Sequence, residues 1–285
     1  MIVLYRSEDL RDLLDARRRE GANIGFVPTM GFLHEGHLSL VRASIAETER
    51  TVVSIFVNPT QFAEGEDLDS YPRDLRRDTE LLEGAGVHYL FAPDVDELYP
   101  DGAGRTTVDP GRIAEVGEGK YRPGHFTGVA TVCTKLFSIV GPCRAYFGQK
   151  DAQQVAVVRQ VVGDLDLDVE VVACPTLREP SGLAMSSRNS SLDDEVKKAA
   201  AVIYEGLEVA AKKAREGQSD PSALIAAVEQ AVSARPELKV QYVEVVDPQS
   251  FEPVERVTER ALITTAVLAG RTRLIDNLEL NAAPS

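Results

Sequence analysis

Short apolar runs alternate with longer amphipathic stretches along the first 175 residues. The run TVVSIFV at 51–57 is almost wholly apolar and has the length of a strand. Runs of this kind are typical of strands that are covered on both faces, as in a parallel sheet. The predicted strands cover residues 24–27, 51–57, 88–93 and 169–176, and segment 144–151 is predicted to be a strand that runs into a loop.

Between these runs, apolar residues recur at helical spacing. Leu38, Val41 and Ile45 share one face after the first strand, and segment 76–87 is typical of a helix that ends at a glycine. Segment 129–140 also has helical length. The alternation predicts an α/β domain of the Rossmann-like, doubly wound type, with a parallel sheet and ligands at the carboxyl ends of its strands.

The pattern changes after Pro175 and Pro180. The elements predicted here are helices at 193–215 and 221–233, followed by strands at 239–247, 260–270 and 272–280. Helices followed by strands, with no long helix between the strands, favour a smaller α+β domain. We therefore expect two domains, residues 1–176 and residues 177–285.

The charge, hydropathy and cysteine content of the chain disfavour several classes of protein. The 285 residues carry a formal net charge of −14, which repels nucleic-acid phosphates, so we expect no nucleic-acid partner. No segment approaches about 18 consecutive apolar residues, so we expect no membrane span. The N-terminus lacks a signal-peptide pattern, and the three cysteines lack C-x-x-C spacing. We expect free thiols in a cytoplasmic protein.

Two of the four histidines, His34 and His37, lie in VPTMGFLHEGHLSL (27–40), where a predicted strand passes into a helix. A zincin site is disfavoured because H-E-x-x-H spaces its ligands four residues apart, whereas these are three apart with no third ligand nearby. Taken alone, the pair is typical of a helix start that is capped or packed by imidazole.

The position of the pair also suits a phosphate. Unpaired N–H groups and the positive end of the helix dipole attract anions at a helix N-terminus. Gly31 and Gly36 allow the backbone to approach a phosphate closely. Imidazole N–H donors here could stabilise the negative charge that grows when an α-phosphate is attacked.

The segment PTMGFLHEGH (28–37) resembles the HIGH-type signature of the nucleotidylyltransferase superfamily, and in this form that of the pantothenate synthetase (pantoate–β-alanine ligase) family. The resemblance continues to residue 192, in family order, through SIFVNPTQF, YPRDLRRD, GHFTGVATVCTKLF, YFGQKDAQQ and GLAMSSRNSSL. The C-terminal third matches mainly in length and character.

The resemblance implies an AMP-forming ligase that uses ATP as co-substrate. The carboxylate of pantoate would attack the α-phosphate of ATP, and the amine of β-alanine would then displace AMP from pantoyl adenylate. Mg²⁺ accompanying ATP and a homodimer are also implied. The first domain would bind nucleotide and pantoate, and the second would act as a lid. Because ATP supplies the leaving group, the enzyme's tasks are positioning and charge stabilisation.

The resemblance assigns ATP binding to short segments in both predicted domains. These residues are Met30, Gly31, Phe32, Leu33, His34, Glu35, Gly36, His37, Gly148, Gln149, Lys150, Asp151, Leu177, Met185, Ser186, Ser187 and Arg188. Segment 184–188, AMSSR, resembles the superfamily's KMSKS loop, with Ala184 and Ser187 where lysines would stand. Arg188 is therefore the expected cation of a mobile lid.

Four residues are assigned to catalysis: His34, His37, Lys150 and Arg188. The family treats His37 as the proton donor. An electrostatic role is the alternative, because neither half-reaction needs this histidine as a proton source.

The substrates pantoate and β-alanine are assigned to Gln61 and Gln154, whose amides can both donate to and accept from hydroxyl and carboxylate groups. Asn58 falls in the same strand-end loop as Gln61, and Arg122 is a further contact to an anionic group. The metal ligands are left open, with Asp78 considered only as an indirect contact.

Rival functions fit less well. An aminoacyl-tRNA synthetase is disfavoured by the acidic charge and by the expected lack of an appended RNA-binding domain. A mononucleotide adenylyltransferase leaves Gln61 and Gln154 unexplained. A P-loop kinase is excluded because no G-x-x-x-x-G-K-[ST] occurs. A regulatory module that binds ATP without chemistry is disfavoured because all four proposed catalytic residues are present.

Overall fold

The computed structural model describes residues 1–63, 65, 68–69 and 71–281. Six parallel strands form one sheet within these residues: β1 (Ile2–Leu4), β2 (Ile24–Thr29), β3 (Arg50–Ile55), β4 (Tyr89–Phe91), β5 (Cys143–Gly148) and β6 (Val169–Cys174). They lie in the order β1-β4-β3-β2-β5-β6. The predicted Rossmann-like parallel sheet is confirmed. Strand β1 was not predicted, because three residues are too few to show a period.

The helices separate the strands as the pattern predicts. They are α1 (Ser7–Arg19), α2 (Glu35–Glu47), α3 (Leu75–Gly84), α4 (Val95–Leu98), α5 (Glu118–Tyr121), α6 (His125–Val140), α7 (Ala152–Asp164), α8 (Asp194–Ala200), α9 (Val202–Arg215) and α10 (Pro221–Ser233). The one helix predicted over 193–215 is divided at Ala201, where backbone N–H groups bond three residues back instead of four.

Helices cover both faces of the parallel sheet. Val27 of β2 packs in a buried cluster with Val41 of α2 and Leu82 of α3. The adjacent Phe26 packs edge-on against Phe137 of α6, with ring centroids 6.2 Å apart. Because successive residues of a strand point to opposite faces, β2 is buried on both sides, which explains its apolar run.

The chain order of the sheet reverses beside β2. From β2 the chain adds β3 and then β4 in one direction, whereas β5 and β6 lie on the other side of β2. In open α/β sheets, ligands bind at the carboxyl ends of the strands that flank such a reversal. The expected ligand region is therefore the end of β2 at Thr29 and the end of β5 at Gly148.

The chain divides into two compact units. The first comprises residues 1–115, 119–149 and 157–175, and the second comprises residues 116–118, residues 150–156 and the chain from Thr176 onwards. The functional roles predicted for domains 1–176 and 177–285 stay predictions. None of the helices in the described part of the chain is both long and apolar enough to cross a membrane.

The second unit contains an antiparallel sheet of three described strands, β7 (Leu238–Val246), β8 (Arg260–Ala269) and β9 (Thr272–Asn281), in that order. Helices α9 and α10 pack against it around a buried apolar cluster. This cluster includes Leu207, Val228, Val243, Ile263 and Leu274. The smaller α+β part predicted for the C-terminal third is confirmed in architecture.

Candidate active site

A left-handed turn follows β2 and leads into α2. Gly31 has φ +81° and Phe32 has φ +50°. A Cβ on Gly31 would lie 3.0 Å from Ile55 Cγ2 and 3.1 Å from Asp78 Oδ2, so the conformation and the packing both require glycine. The turn brings His34 to the N-terminus of α2, beside the carboxyl end of β2.

The side chain of Asp78, on α3, binds the main chain of this turn. Its Oδ2 accepts the N–H of Phe32 at 2.7 Å, and its Oδ1 accepts the N–H of Leu33 at 2.8 Å. The side chain is 1% exposed. Burial raises the pKa of this carboxyl, and the two N–H groups and the Arg77 guanidinium oppose that shift without cancelling it. These two N–H groups are therefore already satisfied within the protein.

The two histidines cap α2. His34 Nδ1 accepts the N–H of Gly36 at 3.1 Å, and His37 Nδ1 accepts the N–H of His34 at 3.3 Å. The ring centroids are 4.1 Å apart. A neutral imidazole that accepts through Nδ1 carries its proton on Nε2. The expected capping of the helix start by imidazole is confirmed, and the phosphate role of the two rings stays a prediction.

Other residues of this predicted ATP segment contact the protein. The Leu33 side chain is buried in the apolar cluster below α2. Glu35 forms an exposed ion pair with Arg42. The Arg77 guanidinium lies over the Phe32 ring, 5.4 Å from its centroid. These contacts stabilise segment 30–37, which contains His34 and His37.

A second turn, at the end of β3, is organised by Asn58. Its Oδ1 accepts the hydroxyls of Thr60 at 2.9 Å and Tyr99 at 3.0 Å, and its Nδ2 donates to Gln61 Oε1 and to Gly128 O, each at 3.1 Å. Burial raises the pKa of Tyr99, which keeps its hydroxyl protonated as a donor. Asn58 is 1% exposed, so its amide serves to orient Gln61.

The turn at 59–61 lies directly on α6. A Cβ on Gly128 would lie 2.4 Å from Thr60 O and 2.6 Å from Gln61 N, so only glycine permits this approach. The Nε2 of Gln61 donates to the sulfur of Met30 at 3.1 Å. Gln61 thereby joins the second turn to the first.

Arg122 and His125 complete this group. His125 Nδ1 donates to Gln61 O at 2.9 Å, and its Nε2 accepts from the Arg122 guanidinium at 3.1 Å. An arginine can only donate, so it fixes this tautomer of His125. The first unit therefore brings together Arg122, Gln61 and the residues after β2.

In the second unit, Lys150 lies in a 3-10 turn and has a side chain that is 17% exposed. Its ammonium is 3.7 Å from the Asp151 carboxylate, and its carbonyl accepts the Asn277 amide at 2.9 Å. Gln153 is buried and binds the main chain of segment 116–118 by donating to Val116 and accepting from Glu118. The neighbouring Gln154, the predicted substrate ligand, is half-buried.

The predicted lid segment also belongs to the second unit. The N–H of Met185 donates to Leu177 O at 2.9 Å, and Arg178 pairs with Ala184, so the chain doubles back between them. Ser186 Oγ accepts the N–H of Arg188 at 3.3 Å and caps the 3-10 helix Ser187–Ser191. This hydrogen bond fixes the start of the 3-10 helix, and the phosphate role of Ser186 stays a prediction.

The family model described as pantoate-beta-alanine ligase matches residues 2–279. The chain belongs to the pantoate–β-alanine ligase family. A relative in this ligase family, the pantothenate synthetase of Caldicellulosiruptor bescii, is 50% identical over 282 residues, which cover 99% of this chain and 100% of the relative.

Solved structures of the ligase family have the same fold. The crystal structure of pantothenate synthetase from Thermus thermophilus matches with a TM-score of 0.92 and 46% identity, and both chains are covered completely. The pantoate-beta-alanine ligase of Francisella tularensis, complexed with beta-gamma ATP and beta-alanine, matches with a TM-score of 0.80 and 36% identity, again over both whole chains.

Several residues that organise this ligase-family site carry weak sequence signals. Asp78 stands in an ordinary charged helix, and only its distant partners show its role. Gly128 has helical neighbours on both sides, which gives no hint of the turn packed on it. Asp276 interrupts the alternation of leucines at 274, 278 and 280, a signal that could have been noticed. The individual ATP and substrate contacts stay predictions.

Proposed function

We propose that this chain catalyses the ATP-dependent condensation of pantoate with β-alanine to pantothenate, releasing AMP and pyrophosphate. The observation that carries the proposal is the family match over residues 2–279. The Francisella tularensis relative, whose structure holds beta-gamma ATP and β-alanine, supports the same choice of reactants.

The reaction needs two displacements. A carboxylate oxygen of pantoate attacks the α-phosphorus of ATP, a new P–O bond forms, and the bond to the β-phosphate oxygen breaks to release pyrophosphate. The neutral amine of β-alanine then attacks the acyl carbon of pantoyl adenylate, AMP leaves with the electrons of the broken C–O bond, and the amine loses a proton. Neither step requires a covalent enzyme intermediate, so catalysis is positioning and charge stabilisation.

His34 and His37 are assigned to the phosphates. Their Nδ1 atoms accept backbone N–H groups, so the neutral rings offer Nε2–H as the donor. A donor that is already oriented stabilises the charge developing on the α-phosphate without reorganisation during the reaction. This favours the electrostatic role of His37 over a proton transfer, because its protonation state need not change.

Gln61 and Gln154 are assigned to pantoate and β-alanine. The Asn58 amide holds Gln61 Oε1, and Arg122 is tied through His125 to the Gln61 carbonyl. A carboxylate substrate near Arg122 would gain a charge-assisted hydrogen bond. The direct contacts of Asn58 and Arg122 with substrate stay predictions.

Lys150 and Arg188 are assigned to the β- and γ-phosphates, with Ser186 and Ser187 as hydroxyl donors. Gly148, Gln149, Asp151, Leu177 and Met185 are assigned to the remainder of the nucleotide. Two cations on the departing pyrophosphate would neutralise the charge that it carries away. The turn Gln149–Asp151 and the capped 3-10 helix Ser187–Ser191 give these groups a defined backbone.

Mg²⁺ is proposed to enter as part of the ATP complex. Within the residues that the structure describes, no three His, Cys, Asp or Glu side chains lie together as a metal site. Both oxygens of Asp78 already accept backbone N–H groups. The donor set therefore does not fit a resident metal. A homodimer and a cytoplasmic location stay predictions.

The decisive test is pyrophosphate release from ATP with pantoate present and β-alanine omitted. We expect one equivalent per active site without β-alanine, and continuous release of AMP and pantothenate once it is added. Pyrophosphate release that does not depend on pantoate would contradict the proposed ligase activity. Binding of ATP without any release would instead support a regulatory module.

A further inference from the structure

Strand β9 carries an adjacent pair of buried polar residues, Asp276 and Asn277. Leu274, Leu278 and Leu280 alternate along the strand and pack in the buried cluster under α9 and α10. Asp276 lies two residues from both Leu274 and Leu278, so its side chain is on the same apolar face of the strand, and the residue is 4% exposed. An ionised carboxylate in such a place is costly unless it is paired.

Arg178 supplies that pair. Its two terminal nitrogens lie 2.6 Å and 3.0 Å from the two oxygens of Asp276, which is a bidentate arrangement. The guanidinium also donates to Gly182 O at 3.1 Å and lies 3.7 Å from the Tyr204 ring centroid. Arg178 stands one residue after Leu177, in the doubled-back segment that ends at Met185. This ion pair therefore anchors the proposed phosphate-binding loop to β9.

Asn277 points to the opposite face of the sheet. Its Nδ2 donates to the carbonyl of Lys150 at 2.9 Å, and the residue is 5% exposed. On the same face, Arg273 pairs with Glu118, whose carboxylate also accepts from Tyr242. This face therefore fixes the main chain at Lys150, from which the proposed phosphate cation projects.

We propose that Asp276 and Asn277 are positioning residues, which hold the segments carrying Lys150 and Arg188 in the register that a bound triphosphate requires. The inference rests on the proposed function, because it presumes that both cations contact ATP. Neither residue is proposed to contact substrate itself. Strand β9 can hold both segments because neighbouring residues of a strand project to opposite faces. Asp276 holds the segment of Arg178 on one face, and Asn277 holds the main chain of Lys150 on the other.

The test uses isosteric variants. Asp276→Asn leaves an amide facing the guanidinium, and Asn277→Leu removes the donor to Lys150 while keeping the branching of the side chain. Glu279→Gln is the matched control, because Glu279 lies on the same strand but pairs at the surface with Arg260, 2.6 Å away. Affinity for ATP is measured by calorimetry on the full chain, and pantoate-dependent pyrophosphate release gives KM for ATP and kcat.

We expect each of the two variants to weaken ATP binding by about tenfold, since each loses a buried polar contact. Glu279→Gln should stay within about twofold of the wild type, as expected for an exposed ion pair. Arg178→Lys keeps the positive charge but loses the bidentate contact with Asp276. It is the milder substitution if Asp276→Asn fails to fold.

A double-variant comparison separates positioning from general destabilisation. Arg178→Lys and Asp276→Asn affect one ion pair, so their combination should weaken ATP binding little more than the worse single variant. Arg178→Lys with Asn277→Leu should give the product of the two single effects. ATP affinity equal to that of Glu279→Gln in every folded variant overturns the inference. A wild type that binds ATP but releases no pyrophosphate overturns the proposed function instead.

Discussion

At the scale of single residues, hydrogen bonds within the protein orient the side chains and the main chain of the candidate site. His34 and His37 each give Nδ1 to a backbone N–H, so the ring proton is placed on Nε2. Asp78 takes the N–H groups of Phe32 and Leu33, so this turn keeps its shape without a ligand. A site preorganised in this way does not have to rearrange when charge develops.

Removing either imidazole should slow adenylate formation. We expect His34→Ala and His37→Ala each to lower the rate of pantoate-dependent pyrophosphate release by about 100-fold, with a smaller change in KM for ATP, because donors of this type act mainly in the transition state. The control is His88→Ala, since His88 Nδ1 accepts a strand N–H, that of Thr51, at 3.1 Å and has no assigned role at the site. An unchanged rate in both active-site variants would refute the assignment.

The buried carboxyl of Asp78 should leave a pH signature in stability. Because burial raises its pKa in the folded chain, its contribution to stability is present below the ordinary pKa of 3.8 and is lost as pH rises through the folded value. We expect the free energy of unfolding of the wild type, relative to Asp78→Asn, to fall over this interval and then to level off. Urea denaturation at a series of pH values measures this difference, and a difference that rises with pH would contradict the raised pKa.

At the scale of elements, the site depends on close approach between a turn and a helix. Gly128 lets the 59–61 turn lie directly on α6, and Asn58 donates to the Gly128 carbonyl at the same place. Helix α6 also carries His125, which bonds the Gln61 carbonyl. The position of Gln61 is therefore set by a packing contact as much as by its own strand end.

Gly128→Ala should disturb this contact. A Cβ that lies 2.4 Å from Thr60 O must push the turn away, so we expect a loss of stability of about 1–3 kcal/mol and a higher KM for pantoate. Gly163→Ala is the matched control, because Gly163 is helical and a Cβ there meets nothing within 4 Å. It should keep or slightly raise stability. Equal melting temperatures and KM values for the two variants would contradict this account.

At the scale of the whole molecule, the acidic charge opposes binding to nucleic acid. The formal net charge is −14. Binding of nucleic acid depends on cations that displace counterions from the phosphates. A single nucleotide needs only a few local cations, which is the role proposed for Lys150 and Arg188.

We therefore expect no retention of transfer RNA or duplex DNA in a filter-binding assay, even at low ionic strength, where electrostatic binding is strongest. ATP should still bind under the same conditions, which is the control for a folded protein. Saturable RNA binding that weakens steeply with salt would argue for a function of the aminoacyl-tRNA synthetase type.

Much of the architecture could be predicted because its causes are local. The apolar runs of β2 and β3 reflect burial on both faces, and each is visible within six or seven residues. The histidine pair could be found for the same reason, since a strand, a glycine turn and a helix start follow one another along the chain. The division at Ala201 and the short strand β1 were missed because neither changes the apolar period.

The sequence by itself thus determined the alternating elements, the parallel sheet and the family, because periodicity and contiguous motifs are properties of neighbours. Only the tertiary structure decided which groups hold the site in shape. Asp78 meets Phe32 across 46 positions, and Asp276 meets Arg178 across 98. Such pairs leave no local pattern, because their partners become neighbours only after the strands and helices have packed.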